Sequence, residues 1–238
     1  MIPKIIHYCW FGGKPLPKLA QKCIASWKKY LPDYEIKRWD ESYFDFNQLP
    51  YTRDAYANGK YAFVSDYARF KILYEEGGIY LDTDVELVKP LGAIVEKGPF
   101  MGEEEKMRCN PGVGIGAEPR MPFIKEMLDF YQNLNFITED GGLNMQTIVT
   151  YTTDLLKTHG YTESNQAQLV AGFNIYPPEY FCPINYFTKE LVITPKTYSI
   201  HHFAESWVST RMKVYEMFNK VLGVETTKKI ANFVHRYR

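Results

Sequence analysis

The sequence lacks net charge and long apolar runs, and each absence excludes a class of protein. Its 238 residues include 28 basic and 28 acidic side chains, so the formal charge is zero. Nucleic acid is not an expected partner, because binding its phosphates needs a local surplus of positive charge. No segment reaches the roughly 20 apolar residues of a membrane span, and the N-terminal apolar stretch is too short for a signal peptide. We therefore expect a cytoplasmic protein.

Cysteine is also scarce, with four residues spread over the chain at Cys9, Cys23, Cys109 and Cys182. Their wide spacing contains no C-x-x-C pair and no zinc-ligand pattern. It predicts reduced, buried thiols in a chain long enough to fold without disulfides or a structural metal. Aromatic residues, by contrast, are abundant at 16%. They suit a packed core and also platforms for sugars and nucleobases.

The neutral total conceals two regions of opposite charge. Residues 208–238 hold seven basic and two acidic side chains, which leaves 21 basic and 26 acidic ones in residues 1–207. Apolar residues at helical spacing predict an amphipathic helical extension over 208–238, following a single domain over 1–207. Two interpretations of this basic tail stay open. It lies on an anionic membrane surface, as a peripheral protein of the inner face would, or it caps the domain with a solvated basic face.

The order of predicted elements is that of an α/β protein. Patterns of strand, helix and strand over 3–10, 16–30 and 34–39 form a βαβ opening and favour a mostly parallel central sheet flanked by helices. An amphipathic helix follows over 61–76 and ends at two glycines. A buried strand at 79–81 then runs into an Asp-Thr-Asp string.

The remaining segments carry weaker patterns. Residues 41–60 are predicted to be a loop, and the glycine-rich residues 98–118 favour close approach of the backbone to a neighbour. Two helices are predicted near 121–133 and 143–158, and short strands separated by prolines over 173–203.

Asp82 and Asp84 form a carboxylate pair at the end of a buried strand. Side chains two apart on a strand share a face, and the carboxyl end of such a strand is where open α/β sheets bind ligands. The pair suits a hard divalent cation, Mg²⁺ or Mn²⁺, that bridges a diphosphate. Alone, a D-x-D string also arises as two solvated turn aspartates. The helix, glycine pair and buried strand before it argue against that alternative.

Asp66 and Arg69 lie three residues apart on the preceding helix and therefore share a face. They flank the apolar face rather than oppose it, so they are predicted to point into a cleft beside the sheet. The alternative is an exposed ion pair, which contributes at most about 0.5 kcal/mol.

Three segments together resemble a known family. They are residues 2–13 (IPKIIHYCWFGG), the block 65–85 containing SDYARF and GGIYLDTDV, and residues 198–207. They are similar to the D-x-D sugar glycosyltransferases, which include bacterial capsular and surface polysaccharide transferases, yeast initiating α-mannosyltransferases and the catalytic domains of large clostridial glucosylating toxins. The resemblance runs from residue 2 to about residue 207.

This resemblance implies a GT-A-like fold and the retaining, metal-dependent transfer of a hexose. The donor would be a nucleotide-diphosphate sugar, UDP- or GDP-linked. The acceptor would be a glycan or a lipid-linked molecule in capsular or surface polysaccharide synthesis. The metal and Arg69 would stabilise the leaving diphosphate while the acceptor hydroxyl attacks from the same face, without a side-chain nucleophile.

The resemblance also implies roles for individual residues. Trp10 would stack on the nucleobase with the Cys9 backbone at its edge, and Tyr80 would pack near the donor. Asp82 would contact the ribose or a metal-bound water, and Asp84 would ligate the metal. The implied donor-binding residues are Cys9, Trp10, Ser65, Asp66, Arg69, Tyr80, Asp82 and Trp207, and the implied catalytic residues are Asp66, Arg69, Asp82 and Asp84.

A third metal ligand is expected from residues 198–207, which resemble a histidine-containing C-terminal motif. His202 is the predicted ligand and His201 the alternative, because adjacent strand residues face opposite ways. An imidazole favours Mn²⁺ over Mg²⁺. The toxin branch uses acidic and hydroxyl groups here, so Glu205 and Ser206 also stay open, and Trp207 would close over the donor. On the sequence alone, paired histidines before a helix are also consistent with a structural role.

Two other functions remain as alternatives. In a haloacid-dehalogenase-like phosphatase, Asp82 would be phosphorylated and Asp84 would act as acid and base. A non-catalytic carbohydrate-binding module would use the aromatic residues. For a transferase, the acceptor pocket is expected between residues 98–118 and the helix at 143–158, with Asn110 and Asn144 as candidates.

Overall fold

The computed structural model of the protein describes residues 1–186 and 188–204, and the compact unit Met1–Phe203 contains every element discussed below. The strands are β1 (Ile5–Cys9), β2 (Glu35–Trp39), β3 (Gly78–Tyr80), β4 (Val85–Leu87), β5 (Phe100–Glu105), β6 (Arg108–Cys109), β7 (Ile115–Ala117), β8 (Gln168–Val170), β9 (Phe173–Tyr176) and β10 (Ser199–His201). The helices are α1 (Lys18–Tyr30), α2 (Pro50–Ala57), α3 (Tyr61–Glu76), α4 (Gly92–Val95), α5 (Pro122–Gln132), α6 (Ile148–Thr158) and α7 (Pro178–Phe181).

The predicted extension 208–238 lies outside the described residues, as do Glu205, Ser206 and Trp207. The predictions made for them therefore stay predictions. In the part of the chain that the structure describes, no helix is both long and apolar enough to cross a membrane.

Within the described residues, one mixed sheet forms the centre of the fold. Its strand order is β2-β1-β3-β7-β5-β9-β8, with β6 paired to β5, and a separate ladder joins β10 to β4. Pairing is parallel among β2, β1 and β3 and between β5 and β9, whereas β7 and β8 are antiparallel to their neighbours. Five of the seven strands in the ordered path therefore run in one direction. The prediction of an α/β protein with a mostly parallel sheet is confirmed.

Two hydrophobic cores cover the two faces of this sheet. One core packs α2, α3, α5 and α6 against side chains such as Tyr80, and the other packs α1, α4 and α7 against Ile79 and Leu81. Alternate residues of a strand point to opposite faces, which places Tyr80 on one side and its two neighbours on the other. When both faces of a sheet are covered by helices, the ends of its strands stay open. The carboxyl ends of the strands are where open α/β sheets bind ligands.

The junction between α3 and β3 positions the carboxylate pair. Gly77 ends α3 at φ +65°, and a Cβ there would lie 2.9 Å from the Ala117 carbonyl oxygen. Gly78 has φ +97°, and its added Cβ would lie 2.8 Å from the Ile5 carbonyl oxygen. Glycine tolerates both the left-handed backbone and the close approach. The glycine pair thus lets the chain turn from α3 directly into a central strand.

His7 ties β1 to this junction and to β2. Its Nε2 lies 2.9 Å from the Gly77 carbonyl oxygen, and Trp39 Nε1 donates to its Nδ1 at 3.0 Å. These contacts fix the neutral tautomer, with the proton on Nε2. Burial lowers the pKa of His7 to about 4.

Two local expectations needed correction. The loop predicted over 41–60 contains α2, which begins with Pro50 in its first turn. A proline at that position is well suited to start a helix, because its missing N–H would have no helical partner there. The Asp82-Thr83-Asp84 string was expected to extend a strand, but it forms a turn between β3 and β4, closed by a 3.0 Å bond from the Val85 N–H to the Asp82 carbonyl oxygen.

Candidate active site

Helix α3 brings Asp66 and Arg69 to the end of β3, where they meet Asp82. Asp66 and Arg69 are buried, at 7% and 3% exposure, although both are charged. Arg69 Nη2 lies 2.8 Å from Asp66 Oδ1 and 3.4 Å from Asp82 Oδ1. One guanidinium thus neutralises two carboxylates, which buried charges require. We call Asp66, Arg69 and Asp82 the arginine cluster.

Residues predicted for the donor site surround this cluster. The Tyr80 hydroxyl donates to Asp82 Oδ1 at 3.2 Å, and the Arg69 guanidinium lies over the Tyr80 ring, 4.8 Å from its centroid. The Ser65 carbonyl oxygen accepts from Arg69 Nε at 3.2 Å. The Cys9 thiol contacts Tyr80 and Ser65, and burial raises its pKa to about 12. Cys9 is therefore a protonated thiol and not a nucleophile.

The electrostatics of the cluster follow from its burial. Burial raises the pKa of Asp66 to about 7, and the nearby Asp82 adds to this effect. The Arg69 charge and a hydrogen bond from the Ile148 backbone N–H oppose it. The pKa of Arg69 is raised by the carboxylates despite its burial. Burial thus favours the protonated form of Asp66, and the permanent charge of Arg69 opposes that preference.

The loop between β6 and β7 covers the cluster by close approach at Gly112. Its carbonyl oxygen accepts from the Asp82 N–H at 2.9 Å. A Cβ at Gly112 would lie 2.0 Å from Asp82 Oδ2 and 2.8 Å from Arg69 Nη1. Asn110 Oδ1 accepts from the Gly112 N–H at 2.7 Å and so holds the loop in place. The sequence predicted close approach in this segment, but not that Asp82 is the neighbour.

Asp84 faces a different partner, His201. Strand β10 pairs antiparallel with β4 and sets His201 opposite Val85. Its Nε2 lies 3.4 Å from Asp84 Oδ2, while its Nδ1 lies 4.0 Å from Cys182 Sγ. The Asp84 carboxylate raises the pKa of the buried His201 well above its ordinary value. We call Asp84 and His201 the histidine pair.

His202, the predicted third ligand, points elsewhere. Its Nε2 lies 2.8 Å from Glu86 Oε2, which also accepts from Lys22 at 2.8 Å. Adjacent residues at the end of β10 face opposite ways, so only one imidazole can reach the carboxylate pair. The register between β10 and β4 brings the alternative, His201, to Asp84, and its role as a metal ligand stays a prediction.

The histidine pair fits a divalent cation. Two ligands at about 2.1 Å from one ion, about 90–110° apart, are separated by about 3.0–3.4 Å. The 3.4 Å between Asp84 Oδ2 and His201 Nε2 matches that separation. Over residues 1–186 and 188–204, no three His, Cys, Asp or Glu residues gather as a metal cluster. Further ligands would therefore be oxygens of a bound diphosphate or water, as is usual for Mg²⁺.

The remaining predicted residues lie further from this centre. Trp10 follows the end of β1 and is half-buried, and its Nε1 donates to the Lys14 carbonyl oxygen at 2.6 Å. Its predicted stacking on a base stays a prediction. Asn144 donates to the Tyr151 hydroxyl at 2.9 Å, in the loop before α6. Asn110 supports Gly112 rather than lining open space.

Known proteins with similar sequences match the part of the chain that contains the arginine cluster and Asp84. Residues 17–101 match the family described as glycosyltransferase sugar-binding region containing DXD motif. Inositol phosphoceramide mannosyltransferase 3 of Schizosaccharomyces pombe is 37% identical over 134 residues, 53% of this chain and 36% of that protein. The initiation-specific alpha-1,6-mannosyltransferase of Candida albicans is 30% identical over 130 residues, 50% of this chain and 34% of that protein. The chain spans less than half the length of the curated relatives it matches.

Among solved structures, the PaToxG glycosyltransferase is similar at 22% identity and a TM-score of 0.49, over 66% of this chain and 68% of that one. A glycosyltransferase involved in the glycosylation of the major capsid of PBCV-1 is similar at 12% identity and a TM-score of 0.46, over 84% and 93%. The family match contains the whole arginine cluster and Asp84. It confirms the resemblance read from the sequence: residues 17–101 are similar to the DXD-containing sugar-binding region of glycosyltransferases.

Proposed function

We propose that this protein is a retaining, metal-dependent glycosyltransferase that moves a hexose from a nucleotide-diphosphate sugar to a glycan or lipid-linked acceptor. One observation carries the proposal: the arginine cluster and Asp84 both lie inside the region that matches the family, and His201 contacts Asp84. A role in capsular or surface polysaccharide synthesis is part of the proposal and is supported by the resemblance of residues 65–85.

The arginine cluster supplies a sugar-binding surface. Arg69 Nη1 is buried and has no hydrogen-bond partner among the described residues. A buried guanidinium N–H that has no hydrogen-bond acceptor destabilises the folded protein. We therefore expect an oxygen of the bound donor sugar or of its phosphate to accept this hydrogen bond. The Asp66 carboxylate would accept a hydrogen bond from a sugar hydroxyl.

The histidine pair supplies the cation site. When bound there by Asp84 and His201, Mn²⁺ or Mg²⁺ would neutralise the charge of the leaving diphosphate. Asp82 is held by Tyr80 and Arg69 and so keeps a fixed orientation beside that site. The residues of this chain thus position the donor and oppose its charge, which is how such a transfer proceeds without a side-chain nucleophile.

The geometry disfavours the two alternative functions. A phosphatase would use the Asp82 carboxylate as its nucleophile, but here Asp82 Oδ1 is already paired with Arg69 and Tyr80. A non-catalytic sugar-binding module has no use for a carboxylate paired with a buried imidazole.

Curated relatives with mannosyltransferase names make a mannosyl nucleotide the first donor to test. A position at the inner face of the cell membrane belongs to the same proposal and is supported by the basic charge of residues 208–238. Flotation of the full chain with anionic vesicles, compared with a chain that ends at Trp207, tests this position. Equal flotation would contradict it.

A thermal-shift panel of UDP- and GDP-sugars, with and without Mn²⁺, tests the proposed function. We expect one donor to stabilise the protein only when Mn²⁺ is present, and to release its nucleotide when an acceptor is added. If no nucleotide sugar gives a Mn²⁺-dependent shift, the proposal is wrong.

A further inference from the structure

A buried thiol lies on the far side of the histidine pair. Cys182 follows the end of α7 and is 2% exposed, and His201 is 6% exposed. The Cys182 sulfur lies 4.0 Å from Nδ1 of His201, whereas Nε2 of the same ring lies 3.4 Å from Asp84 Oδ2. The two nitrogens of an imidazole point in different directions, so a cation at Nε2 is on the other side of the ring from the thiol. Cys182 is therefore a neighbour of the histidine and not a ligand of that cation.

A run of hydrogen bonds holds the segments around α7 and β10 together at this point. The bonds run from Thr197 Oγ1 to the Glu179 carbonyl oxygen at 3.0 Å, from the Tyr198 N–H to the Tyr180 carbonyl oxygen at 2.7 Å, and from Ser199 Oγ to the Phe181 carbonyl oxygen at 3.1 Å. His201 and Cys182 follow along the same two segments. A cysteine sulfur is separated from its backbone by one side-chain torsion, so the pairing of the two segments decides where this sulfur lies.

Phe203 contacts the same imidazole from another direction. Its ring centroid lies 4.3 Å from that of His201, with an angle of 51° between the ring planes. The backbone at Phe203 has φ +49°, which is uncommon for a bulky residue and persists only where surrounding contacts hold it. The imidazole thus has a carboxylate, a thiol and an aromatic ring around it, and its orientation is set before any cation binds.

The chemistry of an imidazole ligand gives the thiol a task. A histidine that ligates a cation through Nε2 carries its proton on Nδ1, and a buried N–H needs a hydrogen-bond acceptor. A thiol sulfur is such an acceptor, although a weak one. Without a cation, the protonated ring directs its Nε2–H to Asp84 and its Nδ1–H to Cys182. When a cation takes the place of the Nε2 proton, the contact of Nδ1–H with the sulfur can stay as it is.

We propose that Cys182 is a positioning residue of the cation site. Its sulfur accepts a hydrogen bond from Nδ1 of His201, which keeps the proton on that nitrogen and leaves Nε2 to face Asp84 and the cation. This inference rests on the proposed function, because it concerns the predicted ligand His201. Partners of this kind contribute about 10–100-fold to metal affinity. We expect a contribution of about tenfold, because sulfur is a weak acceptor.

The contact at Nδ1 can be observed without a metal. In the metal-free full chain with nitrogen-15-labelled histidine, we expect His201 to show an Nδ1–H resonance, identified by its loss in His201→Gln. Cys182→Val fills the space of the thiol without an acceptor, and Cys182→Ala removes the acceptor with less bulk. Both variants are expected to exchange this proton with water at least about tenfold faster than wild type. Cys109→Ala, which changes a buried thiol in the other hydrophobic core, is the control and should keep the slow exchange.

Titration of Mn²⁺ in the presence of UDP or GDP separates this inference from the proposed function. We expect both Cys182 variants to weaken Mn²⁺ binding about tenfold, and Cys109→Ala to bind as wild type does. Binding like wild type in both Cys182 variants, or unchanged exchange of the His201 proton in both, would overturn the positioning role, even where His201→Gln binds weakly. Absence of nucleotide-dependent Mn²⁺ binding in wild type would instead overturn the proposed function, while the exchange rates still test the contact between thiol and imidazole.

Discussion

Asp82 and Asp84 are two residues apart, yet they belong to opposite kinds of environment. Asp82 is part of the arginine cluster, where a permanent cation and a tyrosine hydroxyl occupy one of its oxygens. Asp84 faces His201, whose charge depends on pH and on what binds. The first region carries its counter-ion within the protein. The second leaves a place where a metal cation can act as counter-ion.

The contrast explains how one turn serves two purposes. An arginine always carries its charge, so the cluster is fixed before any ligand arrives. A neutral imidazole is a metal ligand and a protonated one is an ion-pair partner, so under the proposed assignment the histidine pair would exchange one cation for another. The site would then combine a preorganised surface with an exchangeable ion.

Removing the cation of the arginine cluster is expected to have the largest effect. Arg69→Met leaves the buried Asp66 and the partly exposed Asp82 without their counter-ion, which costs about 3–5 kcal/mol of unfolding free energy. Urea unfolding measures the loss. The control is Lys71→Met on the same helix, whose exposed pair with Glu75 contributes about 0–1 kcal/mol. Equal losses in the two variants would show that the cluster is not a buried ionic unit.

Removing the carboxylate of the histidine pair should act on catalysis instead. Asp84→Asn is expected to lower transfer by about 10³-fold, equivalent to about 4 kcal/mol, because the cation loses its anionic ligand. The matched change is Glu86→Gln, two residues along the chain and bonded to His202. Its effect on turnover should stay within about threefold. Nucleotide release per second compares the variants, and similar losses in both would contradict the division between the regions.

Acid is expected to weaken the junction between α3 and β3 through His7, which contacts the Gly77 carbonyl oxygen. Its pKa is about 4 in the folded chain, against the ordinary histidine value of 6.5. The folded state favours the neutral ring, so its stabilising effect is complete above pH 6.5 and is lost as pH falls toward 4. The difference amounts to at most about 3 kcal/mol.

His7→Gln should therefore flatten the fall of unfolding free energy between pH 6.5 and 4, measured by urea titration at several pH values. A slope that is unchanged in His7→Gln would mean that this imidazole does not remain neutral in the folded protein.

Adding one methyl group at Gly112, which lies against the arginine cluster, should have the smallest effect. In Gly112→Ala, the new Cβ overlaps Asp82 Oδ2 and has to displace it. We expect turnover to fall about 10–100-fold, or about 1.4–2.7 kcal/mol, with a smaller loss of stability. Gly92→Ala, which meets open space at the start of α4, should cost nothing measurable. Full activity in Gly112→Ala would show that this contact does not position Asp82 for the reaction.

The parts of the site that sequence alone could predict are local in the chain. The helix predicted over 61–76 matches α3, and Asp66 and Arg69 share one face of it, as their spacing indicated. A helical face, a glycine break and a buried strand all lie within 25 residues. Their geometry depends on backbone periodicity more than on tertiary contacts.

The parts that could not be predicted depend on pairing between distant segments. Whether His201 or His202 faces Asp84 is decided by the register of β10 on β4, more than 110 residues apart. The contact of Gly112 with Asp82 depends on how β7 inserts antiparallel between β3 and β5. Neither register has a local signal, because a shift of one residue reverses every side chain of a strand.

Binding of Mn²⁺ to two histidine variants is the most direct test that the cation belongs to the histidine pair and not to the arginine cluster. Free Mn²⁺ can be titrated by its electron paramagnetic resonance signal in the presence of UDP or GDP, with wild type, His201→Gln and His202→Gln. We predict that His201→Gln weakens nucleotide-dependent Mn²⁺ binding at least about tenfold, whereas His202→Gln binds as wild type does. Loss of binding in His202→Gln alone, or equal binding in all three proteins, would contradict the assignment of the cation to Asp84 and His201.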